Sequence, residues 1–137
     1  MGITVRIEGE QGQASAELID PHAYLTELLE LPLFEGTACV QFIDPYGNTV
    51  FNQLQLPILI AELEAARSKV TDVEVRRAAE RELHAAREAR WDANLVLHYE
   101  QAVQRASARP LLEYLDALVD LARKAISVHT YLKFYGD

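Results

Sequence analysis

Ala38-Cys39-Val40-Gln41-Phe42-Ile43-Asp44-Pro45-Tyr46-Gly47-Asn48-Thr49-Val50-Phe51 is the stretch on which the fold turns. β-forming side chains dominate 38–43 and return at Thr49-Val50-Phe51. Between them, Asp44-Pro45-Tyr46-Gly47-Asn48 has the chemistry of a turn. Pro45 presets φ, and Gly47 can supply a left-handed residue. The stretch therefore predicts a β-hairpin over about residues 38–54.

Upstream, Ile3, Val5 and Ile7 alternate with Thr4, Arg6 and Glu8, the period of a strand with one buried face. A turn signal at Gly9-Glu10-Gln11-Gly12 leads to a second alternation through Ala14, Ala16 and Leu18. The pair predicts a first hairpin over about residues 3–19. Asp20 as N-cap and Pro21 at the first helical position open a helix that Pro32 stops.

Downstream the period changes. Pro57 opens a helix whose stripe is Leu56, Leu59, Ile60 and Leu63. Thr71 with Glu74 forms a capping box. Neither Gly nor Pro occurs from Val73 to Ala106, and Val75, Ala79, Ala86, Ala89, Ala93, Val96, Tyr99 and Val103 follow steps of three and four. Glu82 is the one polar residue in that seam. Pro110 starts a last helix with Leu111, Tyr114, Leu118, Leu121 and Ala125 on one side. The tail, residues 129–135, fits either a helical extension or a further strand. A helix of about 34 residues would be about 50 Å long, against a domain diameter of roughly 35–40 Å. It must protrude, kink or find cover. The economical arrangement is an antiparallel helical hairpin, about 72–107 against 110–130, with a homodimer through these long helices as a further expectation. The fold class is α+β: a small antiparallel sheet of two hairpins packed on helices, in a single domain spanning 1–137.

Half of the residues are hydrophobic, enough for a core without disulfide or metal staples. Cys39 is the only cysteine, so no disulfide framework or cysteine-based zinc site is expected, and a buried thiol is. The N-terminus shows neither a signal-peptide nor a myristoylation pattern, and no apolar run reaches the roughly 20 residues of a membrane span. A soluble cytoplasmic protein is expected.

Charge is unevenly placed. Residues 1–66 carry ten acids and one base, whereas 67–137 carry eleven acids and twelve bases. The acidic half would repel nucleic acid and acidic membranes and speed encounter with a basic protein partner. The arginines at 76, 77, 81, 87 and 90 are nearly cancelled by Glu74, Glu80, Glu82 and Glu88, which again argues against nucleic acid.

No catalytic motif stands out. Glu80, His84 and Glu88 share a helix face, but that is an ordinary solvated face, and neither metal nor cofactor is expected. Gly-rich phosphate loops and nucleophile elbows are missing. The candidate binding set is Asp44, Tyr46, Asn48, Asn52, Gln53 and Gln55, polar residues gathered around the second hairpin, with Tyr46 as an aromatic anchor. The same residues suit plain turn stabilisation. Three functions fit: a non-catalytic acidic interaction domain of inhibitor, immunity or regulatory type; a small enzyme around the Asp44 hairpin, with Asp44 assisted by His22; or a helical-hairpin assembly subunit. The first is preferred.

Overall fold

The computed structural model describes residues 3–8, 14–20 and 22–136; the turn expected at Gly9-Glu10-Gln11-Gly12 and the role expected of Pro21 lie outside them. Strands β1 (Thr4–Glu8) and β2 (Ala14–Leu18) pair antiparallel, as their alternation requires. Helix α1 (Tyr24–Glu30) follows, but Asp20 does not cap it from the residue next to the helix. Ala23 occupies that position in a left-handed conformation, φ 57°. Asp20 is buried, and its two carboxylate oxygens accept the N–H groups of Tyr24 and Leu25, each at 2.9 Å. Those charge-assisted bonds offset the left-handed Ala23, which costs roughly 1–2 kcal/mol.

The second hairpin does not form. Residues 38–43 are no strand: Val40–Phe42 is a short 3₁₀ helix. The reason lies 22 to 24 residues ahead. The Glu62 carboxylate accepts the backbone N–H groups of Ala38 at 2.6 Å, Cys39 at 2.9 Å and Val40 at 3.1 Å, turning them away from any sheet. The turn itself is present, with Gly47 N–H donating to Asp44 O. Gly47 is not left-handed there; a Cβ would meet Asp44 Oδ2 at 2.5 Å, so close approach explains the glycine.

Strand β3 (Asn48–Phe51) leads into helix α2 (Leu56–Arg67), which buries Leu56, Leu59, Leu63 and Ala66. Thr71 then caps helix α3 (Asp72–Glu88) by accepting Glu74 N–H, as its spacing predicts. The expected helix over 72–107 is broken. Trp91 N–H reaches back to Ala86 O and Arg90 is left-handed, φ 55°, a Schellman closure without glycine. Asp92 caps helix α4 (Ala93–Arg105) by accepting Asn94 N–H at 2.7 Å. The helical hairpin is thus α3 against α4, not 72–107 against 110–130, because the break at Arg90 turns α4 back along α3. Helix α5 (Ala108–Ser127) packs chiefly on α2 and also on α1 and β2.

A second Schellman closure ends α5. His129 is left-handed, φ 54°, and Thr130 N–H donates to Ala125 O. The chain then enters β4 (Leu132–Tyr135), so the tail is a strand. It lies between β1 and β3, antiparallel to both, in the order β2-β1-β4-β3. The fold is α+β, a small antiparallel sheet with helices packed on it. Val5, Ile7, Phe51, Leu132 and Phe134 are buried with Leu111, Leu115 and Leu118 of α5 in one core. The other side of the sheet carries Arg6, Lys133 and Tyr135, with both cations over the Tyr135 ring at 5.2 and 4.6 Å. No helix of the described residues is long and apolar enough to cross a membrane.

Candidate functional site

The polar set around β3 is mostly occupied with its own backbone. Asp44 Oδ1 accepts Tyr46 N–H at 2.8 Å, and Asp44 N–H donates to Thr49 Oγ1 at 3.0 Å. Asn52 Oδ1 accepts the N–H groups of Leu54 and Gln55, while Gln55 Oε1 accepts that of Asn52. Gln53 donates to Ala125 O at 3.0 Å and to Thr130 O, tying the β3 exit to the end of α5. Asn48 is exposed. Tyr46, 83% exposed, stands at a cavity. His22 lies against Tyr24 with the rings tilted and their centroids 5.3 Å apart, and Asp44 is taken up by the turn.

That cavity is one of two neighbouring grooves, together called the trough. One groove, of about 410 Å³, runs from Thr26, Leu29 and Glu30 past Phe34 and Glu35 to Gln41 and Tyr46. A second, of about 270 Å³, lies between α1, α3 and the α4–α5 junction and is lined by Tyr24, Glu27, Glu30, Glu82, Arg105 and Ser107 among others. Both grooves have Glu30 and Leu31, at the C-terminal end of α1, in their walls. The trough walls hold four carboxylates, Glu27, Glu30, Glu35 and Glu82, against one base, Arg105.

Two of the carboxylates, Glu82 and Glu27, are perturbed by their surroundings. Glu82 is pushed up to about 7, first by loss of water in the groove, then by a hydrogen bond to Glu30 and the charges of Glu30 and Glu27. Arg81 opposes the shift. Burial also raises Glu27, with Glu30 and Asp20 adding to it. A protonated Glu82 therefore donates to the Glu30 carboxylate across the α1–α3 contact. The sign of the pH effect follows. Glu82 keeps its proton in the folded chain up to about 7, whereas the ordinary carboxyl releases it near 4.5. This contribution to stability is full below the ordinary value and is lost as pH rises through 7. Thermal melts from about pH 5 to pH 8 should show the unmodified chain losing stability relative to Glu82→Gln, which keeps the donor at every pH. Parallel curves would count against the shared proton.

No family model, curated protein or solved structure matches this chain. What the trough can do therefore rests on its own chemistry. Four carboxylates in two neighbouring concavities can accept several N–H donors from ammonium or guanidinium groups, with the exposed Tyr46 ring available to the same cations. Among the described residues no group of His, Cys, Asp and Glu is arranged to hold a metal ion. Burial, with the Glu62 charge adding to it, pushes the Cys39 thiol up, which disfavours a thiolate nucleophile.

Sequence reasoning counted Glu27, Glu30 and Glu35 in the acidic half but did not place them together. Glu82 did carry a signal, as the one carboxylate inside an otherwise apolar seam.

Proposed function

We propose that this chain is a non-catalytic protein-interaction domain, acting in the cytoplasm, whose acidic trough seats an extended basic segment of a partner protein. One observation carries the reading: two neighbouring grooves with Glu30 and Leu31 in both walls, lined by four glutamates and a single arginine. The excess of nine acids over bases in residues 1–66 supplies a long-range field of the same sign. Tyr46 stands at one end of the trough, where an aromatic anchor can pack on an arginine or on the stem of a lysine.

Calorimetric titration with a short Arg- and Lys-containing peptide, and with its Glu-substituted analogue, tests this. Only the basic peptide should bind, with affinity and on-rate falling as salt rises. Glu30→Lys should weaken binding by about 1–2 kcal/mol, roughly tenfold in Kd. Affinity should rise with pH through 7, because Glu82 must ionise to accept the ligand. Equal binding of the basic peptide by the Glu30→Lys chain, or binding indifferent to salt, would sink the proposal. Capture from the native cell with the unmodified and Glu30→Lys chains then identifies the partner by difference.

A further inference from the structure

The core stops short of the helical hairpin. From residues 72–107 it takes in Val75, with Ala78 and Ala106 packed at its edge. Ala86 is buried but lies outside that core, and no residue of α4 is buried. The two helices hold each other instead. Helix α4 packs chiefly on α3, Arg87 pairs with Glu100 at 2.9 Å, and the Trp91 and Tyr99 ring centroids are 5.6 Å apart near the tip. The hairpin is therefore an arm fixed at its base, with little buried apolar surface holding its outer half to the body.

The base has the form of a hinge. The chain enters the arm at Thr71 and leaves it at Ser107, both extended residues directly before a helix, φ −118° and −150°. Asp72 Oδ1 accepts Ala108 N–H at 2.7 Å, so the two crossings lie side by side. Val70 and Ala108 anchor them in the core. Element-terminal residues of this kind absorb the φ/ψ change of a hinge motion. Such a motion alters the groove of about 270 Å³, whose walls are α1 on the body and α3 on the arm.

We propose that the α3–α4 hairpin swings as a unit about Thr71 and Ser107, closing the groove against α1 through Glu82 and Glu30 and opening it when those two carboxylates repel. Glu82 stands ten residues beyond Asp72, about 15 Å up the arm at ~1.5 Å per residue, where force has leverage on the hinge. From α1, Glu30, Glu27 and Tyr24 line the same groove. Opposing charge comes from Arg81 on α3 and from Arg105 at the end of α4, while Pro110 and Leu111 of α5 bring none. A protonated Glu82 donates to Glu30 and the arm is shut. Above about 7 both are ionised, Glu27 adds a third negative charge, and the arm opens. The swing is a property of the chain itself. Its use rests on the proposed function: a basic segment laid between the ionised carboxylates takes the place of the lost proton and shuts the arm over itself.

Double electron–electron resonance between spin labels tests it. His22 is exposed on the body and Leu97 on the arm, and Cys39 is buried, so His22→Cys with Leu97→Cys places one label on each. This pair should give a short, narrow distance at pH 5 and a longer, broader one at pH 8. A rotation of about 15° carries the tip of a 17-residue helix through roughly 6 Å. In Glu82→Gln, which keeps the donor, the distance should stay short at pH 8. Labels within the arm, at Arg77→Cys and Leu97→Cys, should keep their separation throughout. Small-angle X-ray scattering makes the comparison without new cysteines: the radius of gyration should rise from pH 5 to pH 8 in the unmodified chain and stay constant in Glu82→Gln. A body-to-arm distance indifferent to pH, one that lengthens equally in Glu82→Gln, or an arm-internal distance that lengthens as well overturns the proposal. A short Arg- and Lys-containing peptide added at pH 8 should restore the short distance. A peptide that binds without restoring it overturns the closing of the arm, whereas one that fails to bind sinks the proposed function and leaves the pH-driven swing standing.

Discussion

Phe134→Ala is expected to lose about 3–5 kcal/mol of folding stability, the upper range for removing a buried aromatic ring. Phe134 is fully buried, stands opposite Val5 of β1 and Thr49 of β3, and meets the Phe51 ring edge-on at 5.6 Å. It sits in a strand with neighbours on both sides, so little can collapse into the space left behind. A domain of this size is commonly stable by about 5–15 kcal/mol, so the variant should be close to unfolding at moderate denaturant. Urea titration with an unchanged slope measures the loss. Val128→Ala is the control: Val128 is half exposed just past α5 and should change stability by less than about 0.5 kcal/mol. A loss below about 1 kcal/mol at Phe134 would mean that the tail is not a central strand.

That test bears on what the sequence could and could not disclose. Local signals were legible. The alternation at Ile3, Val5 and Ile7, the Thr71–Glu74 spacing and the Leu56, Leu59, Leu63 stripe each specify their own element, because the physics that decides them acts within a few residues. Residues 129–135 were ambiguous for the opposite reason. Their β-forming side chains permit a strand, but only neighbours more than 75 residues away in the chain, β1 and β3, make one. The helix break at Arg90 was hidden because a non-glycine residue holds the left-handed position; Asp92, a good N-cap inside an apolar periodicity, was the available hint. At the candidate site, Asp44, Asn52 and Gln55 are turn formers serving the turn, which is the commoner fate of such residues. The trough needed α3 to come beside the groove along α1 before Glu82 could meet Glu27 and Glu30, and no local pattern encodes that placement.

The segment 38–43 shows the same principle most sharply, and it yields the second large effect. Glu62→Ala should cost about 2–4 kcal/mol, since hydrogen bonds to a charged acceptor are worth about 1.5–3 kcal/mol and a buried donor left unpaired costs about 1–3. Three backbone N–H groups converge on that carboxylate. Ala38 is exposed and water can replace its acceptor, but Cys39 and Val40 are buried, so the loss concentrates on those two. Glu62→Gln keeps one carbonyl oxygen toward the three donors and should lose less. A second readout is independent of stability. Burial first, and the Glu62 charge second, hold the Cys39 thiol above its ordinary range. Removing the carboxylate and loosening the segment should therefore speed thiol modification by a disulfide reagent under native conditions. Denaturant titration and the thiol rate should move together in Glu62→Ala and by smaller amounts in Glu62→Gln. Should stability fall by less than about 1 kcal/mol with the thiol as slow as before, then residues 38–43 hold their 3₁₀ turn unaided. The failure of the expected hairpin would then need a cause other than Glu62. If both move, a single carboxylate on α2 is what keeps a stretch of strong β-formers out of the sheet. That in turn leaves β3 with no hairpin partner and a bare outer edge.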